Sequence, residues 1–145
     1  MTIQLGDITL SGRVLLAPMS GVTDFAFRKA VAKASRVSVV SEMVASKELV
    51  KARADVVRRA EGFGLSPFII QLAGRDPHWM REGAKFASAA GADAVDINMG
   101  CPVKKVVNGY AGSALMKDET LASSILSSVV NAVKIPVTLK MRKGW

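Results

Sequence analysis

The chain has 145 residues, half of them hydrophobic and 22% charged, which suits one globular core and excludes a disordered tail or low-complexity linker. Twenty Lys and Arg against twelve Asp and Glu give a formal charge of +8, which fits a polyanionic partner such as nucleic acid as well as a plainly well-solvated basic surface. One cysteine, Cys101, and one histidine, His78, exclude an intramolecular disulfide, a multi-thiolate site and the usual zinc constellations, so no metal is expected.

The first residues lack the basic stretch and apolar run of a signal peptide. No apolar run reaches the roughly 18 residues of a membrane helix, so a soluble, cytoplasmic protein without membrane contact is expected. Ile3–Leu5 and Ile8–Leu10 flank Gly6-Asp7 and predict a hairpin. Residues 13–17 predict a first buried strand, and Thr23 or Asp24 caps a helix to about residue 34. Residues 37–42 form a second strand, and Ser46 opens a helical stretch to about residue 60. Residues 67–72 are the third strand. Asp76-Pro77 starts a helix that Gly91 stops, because Pro is tolerated at the first helical position. Residues 94–98 are the fourth strand. A helix over 119–133 follows, with Leu121, Ile125, Leu126, Val129, Val130 and Val133 on one face, and then a fifth strand at 137–141.

This alternation implies parallel strands with right-handed crossovers, as in a doubly wound sheet or an eight-stranded barrel. The turn Ala17-Pro18-Met19-Ser20-Gly21 lacks the glycine fingerprint of a dinucleotide fold. Met19, Gln71, Asn98, Lys140 and Arg142 fall at or just past C-terminal strand ends, where barrel active sites are assembled, so the TIM (β/α)8 barrel is preferred. Alternation along each strand puts Ile69 with Gln71, Asp96 with Asn98, and Thr138 with Lys140 and Arg142 on faces that point into the barrel mouth. A whole barrel takes about 250 residues. The chain stops after its fifth strand, so residues 1–145 are expected to be the N-terminal part of a longer catalytic barrel, with no second domain within them.

The densest chemical signal is the run from Asp96 to Lys105, Asp-Ile-Asn-Met-Gly-Cys-Pro-Val-Lys-Lys. A glycine permits a sharp turn, and Pro102 restricts Cys101 to extended geometry. A thiol held over strand ends can give or take a proton, whereas most free cysteines are small buried hydrophobes; the Gly-Cys-Pro turn favours the first. His78, in the first turn of a helix, is expected at the surface, and Trp79 and Phe86 are expected to be packing residues.

These residues resemble the bacterial tRNA-dihydrouridine synthases. The likeness runs through the segments at 16–24, 71–74, 96–105, 108–115 and 137–145, in order and at the expected strand ends. It implies an FMN enzyme that reduces particular tRNA uridines to dihydrouridine, with NADPH renewing the reduced flavin. It also implies a helical tRNA-binding domain beyond the barrel. By that pattern Ala17, Pro18 and Met19 line one side of the flavin, Gln71 bonds its pyrimidine end, and Lys140 sits where charge accumulates on reduction. Hydride passes from the flavin to uracil C6, and Cys101 protonates C5 from the opposite face; thiols are mostly protonated at neutral pH. Asn98 and Arg142 are the candidates for holding the target uracil. Lys104 and Lys105 are placed for the RNA backbone, the alternative being a solvated loop pair. An inward Lys140 could instead form a structural ion pair with Asp96. The uridine has to leave the tRNA stack to reach the flavin. The rival readings are a flavin barrel acting on free pyrimidines and a non-catalytic fragment. Without the later strands, whose loops usually cradle the phosphate, the 145 residues alone are expected to bind FMN weakly or not at all.

Overall fold

The computed structural model describes residues 2–10 and 12–145. An antiparallel hairpin comes first, β1 (Ile3–Leu5) and β2 (Ile8–Leu10), with Leu5 opposite Ile8 and Gly6 turning at a φ of +58°. Five parallel strands follow: β3 (Leu15–Leu16), β4 (Ser38–Ala45), β5 (Ile69–Ala73), β6 (Ala94–Met99) and β7 (Val137–Met141). They lie side by side in sequence order. A doubly wound sheet starts near its middle and reverses direction. Here each strand adds beyond the last, the order of a barrel.

The two faces of the sheet are chemically different. Ile70, Leu72, Val95 and Ile97 face the helices and make the main core with Leu49, Met80, Ala84, Ala87, Ile125 and Val129. On the other face Val40, Ile69 and Ala94 pack against Leu5 and Ile8. Ile69 and Ala94 open their strands, so the hairpin covers the N-terminal end of this inner face. The positions that follow them on it, Gln71, Asp96 and Asn98, are polar and buried. A sheet with helices on one face only, and polar side chains gathered toward its C-terminal end on the other, is the inside of a partial barrel.

Three helices start where an aspartate can cap them. Asp24 accepts the Phe27 N–H at α1 (Phe25–Ala34), Asp76 the His78 N–H at α4 (Pro77–Ala89), and Asp118 the Leu121 N–H at α6 (Glu119–Val130). Each such cap stabilises by about 1 kcal/mol. Of the two candidate caps for α1, Asp24 serves. Thr23 is buried instead, its hydroxyl accepting the Met19 N–H and donating to the Met19 carbonyl. His78 is exposed, and Phe86 packs on the core.

Four expectations change, the second strand running on to Ala45 rather than ending at residue 42. The first strand is two residues long, not five, and Leu15 is 40% exposed because β3 is an edge, paired only with β4. The helix expected over 46–60 breaks into α2 (Ser46–Val50) and α3 (Ala54–Ala60). The Ala52 N–H donates to the Leu49 carbonyl and the Arg53 N–H to the Glu48 carbonyl, while Ala52 takes a φ of +53°. This is a Schellman close, built on alanine where glycine is usual. The last helix ends at Val130, not 133, and Val130 is 53% exposed, so its buried stripe is Ala122, Ile125 and Val129.

Candidate functional site

The turn after β6 is held from several sides. The Asn98 Oδ1 accepts the Cys101 N–H at 3.1 Å and the Gly100 N–H at 3.4 Å. The Arg142 Nε donates to the Gly100 carbonyl at 2.8 Å. The Cys101 carbonyl accepts the Ser113 N–H at 3.0 Å, from the 3₁₀ segment Gly112–Lys117. Short polar side chains that bond backbone nearby in sequence commonly fix such turns. Cys101 is half-buried, on the rim of a hollow of about 880 Å³ at the C-terminal ends of β4 to β7.

Beneath the hollow is a buried polar layer. The Asn98 Nδ2 donates to the Gln71 Oε1 at 2.8 Å, and the Gln71 Nε2 donates to the Asp96 Oδ2 at 2.6 Å. The Thr138 hydroxyl donates to the Asp96 Oδ1, also at 2.6 Å. Burial pushes the Asp96 carboxyl above its ordinary value; the bonds from Thr138 and Gln71 and the attraction of Lys140 oppose that shift. The ion pairs among the described residues do not include Lys140, so the structural Lys140–Asp96 pair weighed from the sequence is not formed.

Of the ten residues singled out from the sequence, Pro18, Gln71, Asn98, Cys101, Lys105, Lys140 and Arg142 line this hollow; Ala17, Met19 and Lys104 do not. Met19 is exposed, and its loop is tied down from beneath. The buried Glu42 accepts the Gly21 N–H at 2.6 Å. The buried Arg28 donates to the carbonyls of Thr23, Arg59 and Glu61. Burial lowers the Arg28 pKa, and the attraction of Glu42, Asp24 and Glu61 opposes that shift.

The sequence reading missed the opposite wall. Arg53, Arg59, Glu48 and Asp55 also line the hollow, and Arg53 pairs with Glu48 at 3.4 Å and Asp55 at 3.2 Å. Arg53 immediately precedes α3, and Asp55 lies in that helix's first turn. With Lys105, Lys140 and Arg142, cations outnumber carboxylates around the rim. The hollow thus offers a ligand a thiol, two buried amides resting on a carboxylate, and an excess of cations. Among the described residues no group of three or more His, Cys, Asp or Glu is placed to hold a metal ion, and no helix is long and apolar enough to cross a membrane.

The dihydrouridine synthase family model matches residues 15–145. A probable tRNA-dihydrouridine synthase of Rhizobium leguminosarum bv. phaseoli is 54% identical over 138 residues, covering 95% of this chain and 44% of the relative. One from Rickettsia bellii is 48% identical over 99% of the chain and 44% of the relative. A tRNA-dihydrouridine synthase B of Pseudomonas putida is 48% identical over 99% and 43%. The chain therefore spans under half the length of these relatives. Matched along nearly its whole length, with the Cys101 turn inside the match, the chain belongs to the dihydrouridine synthase family.

Proposed function

We propose that the chain supplies the proton donor and part of the cofactor site of an enzyme that reduces uridine in tRNA to 5,6-dihydrouridine, within an eight-stranded barrel and a cytoplasmic protein. One observation carries this reading: the clamped Cys101 turn opens on the same hollow as Gln71 and Lys140. The relatives' names, which specify tRNA and dihydrouridine, support it.

The residues of the hollow fit FMN. Gln71 keeps one amide N–H and one lone pair beyond its bonds to Asp96 and Asn98, a donor and an acceptor for a pyrimidine edge. Lys140 brings a cation that forms no ion pair among the described residues, and Pro18 and Met43 offer apolar contact, with Ala17 and Met19 flanking Pro18 in sequence. Bound there, FMN would supply the hydride for uracil C6, with NADPH as the source of its electrons.

The chain's own part is acid catalysis and positioning. The Cys101 thiol gives its proton to C5 of the uracil. Asn98 keeps one N–H beyond its bond to Gln71, and Arg142 keeps its Nη donors; these hold the uracil's carbonyl edge. Lys104 and Lys105, both exposed, take backbone phosphates of a tRNA whose uridine has been extruded from its stack.

The test is Cys101→Ala in the full-length protein, with tRNA nucleosides read by mass spectrometry. Dihydrouridine formation is expected to fall by about 10²-fold or more while flavin absorbance is kept. Unchanged formation, or turnover of free uracil or dihydroorotate without tRNA, would overturn the reading.

A further inference from the structure

Asp96 is a buried carboxylate to which the reaction proposed above gives no task. Both of its oxygens are engaged at 2.6 Å, one by Thr138 and one by Gln71. An ionised carboxylate only accepts, so Gln71 has to turn its NH2 end toward it. The Gln71 Oε1 is thereby aimed at Asn98, and only the NH2 end of Asn98 can satisfy it, at 2.8 Å. That leaves the Asn98 Oδ1 facing the turn, where it accepts the Cys101 N–H at 3.1 Å. Every donor in the relay points toward the charge. The three bonds measure 2.6, 2.8 and 3.1 Å. An amide and its flipped form have nearly the same shape, so packing alone does not choose between them.

We propose that Asp96 is a positioning residue for Cys101: its carboxylate sets which way the amides of Gln71 and Asn98 point, and through them holds the turn that presents the thiol. The catalytic consequence rests on Cys101 being the proton donor, whereas the relay itself does not. With asparagine at 96 the first link can donate as well as accept. Gln71 is then free to reverse, and Asn98 can present N–H groups to a turn that also presents N–H groups.

The experiment is Asp96→Asn in the full-length protein, an isosteric change. One readout is the rate of iodoacetamide alkylation at Cys101, followed on the Cys101 peptide by mass spectrometry. The other is dihydrouridine formation. Alkylation is expected to change by about threefold or more and dihydrouridine formation to fall about tenfold. Added to Asn98→Ala, which already cuts the relay, Asp96→Asn is expected to change either readout by less than about twofold, the non-additivity of residues acting through one another. Unchanged readouts in Asp96→Asn, or its full effect multiplied onto Asn98→Ala, would overturn the proposal. If Asp96→Asn does not fold, Gln71→Met cuts the same relay at its middle and is judged by the alkylation comparison alone, because Gln71 is also placed at the flavin. If Cys101→Ala still reduces tRNA, the proton-donor reading fails, and alkylation alone decides the relay.

Discussion

Gly112 lies so close to Cys101 that a Cβ at position 112 would sit 2.6 Å from the Cys101 carbonyl oxygen and 3.3 Å from the Cys101 Cβ. Its φ of +61° is in the left-handed region that glycine enters without a steric penalty. The next residue, Ser113, donates to the same carbonyl. Gly112→Ala therefore has to displace the turn or break this bond. The expected cost is about 1–3 kcal/mol of stability, together with a fall in dihydrouridine formation. Thermal unfolding and tRNA turnover check both parts. An alanine variant with native stability and turnover would mean that the approach does not constrain Cys101.

Arg142 holds the other side of the same turn, through one Nε–H donated to the Gly100 carbonyl. Its side chain is exposed, so Arg142→Lys should change stability by no more than about 0.5 kcal/mol. Lysine keeps the charge but has no planar fork to bond a carbonyl and leave other donors aimed outward. The expected result is a loss of about tenfold in turnover, with affinity for tRNA kept within about twofold, because the charge that tRNA feels is unchanged. Steady-state rates beside a binding titration separate the two. Equal losses in rate and affinity would assign Arg142 to the RNA backbone alone.

Asp96 has a signature in the pH dependence of stability. Burial raises its folded pKa above the ordinary carboxylate value, outweighing Thr138, Gln71 and Lys140. Between the unfolded and folded values the native state then holds more protons than the unfolded one. Stability from this group is therefore present at low pH and lost as pH rises through the folded value. Asp96→Asn removes that dependence. Urea unfolding of both proteins from acid to neutral pH should show the wild type losing ground to the variant as pH rises. A widening advantage for the wild type would mean that its hydrogen bonds outweigh burial and that the pKa is lowered.

The strand order and the inward polar residues were legible because period-two alternation is a local property: Gln71, Asp96, Asn98 and Thr138 each announce a polar inner face within their own strand. The helix starts at Pro77 and Glu119 were legible because start signals are also local, whereas the Asp118 cap was not read. What stayed hidden depends on partners far away in sequence. Ala52 has no residue-level sign of a left-handed backbone, so the wall carrying Arg53 and Arg59 read as plain helix. The family resemblance made Asn98 a candidate for holding the uracil, and that reading did not include a bond to Gln71. The engagement of Asn98 by Gln71, 27 positions away, appears only once β5 and β6 are side by side.

Lys104 and Lys105 are adjacent in sequence but differently placed: Lys105 lines the hollow and Lys104 does not, though both are exposed at the start of the short helix α5 (Lys104–Val107). If both take phosphates, each alanine substitution releases one fewer counterion on binding. The slope of log affinity against log salt should then become shallower by about 1 for either change, and by about 2 for both. Only Lys105→Ala should in addition lower turnover at saturating tRNA, because only that residue borders the space where the proposed chemistry occurs. Filter binding over a salt series, followed by rates at saturating tRNA, reads the two effects separately. A slope unchanged in the double variant would leave the pair as solvated loop residues.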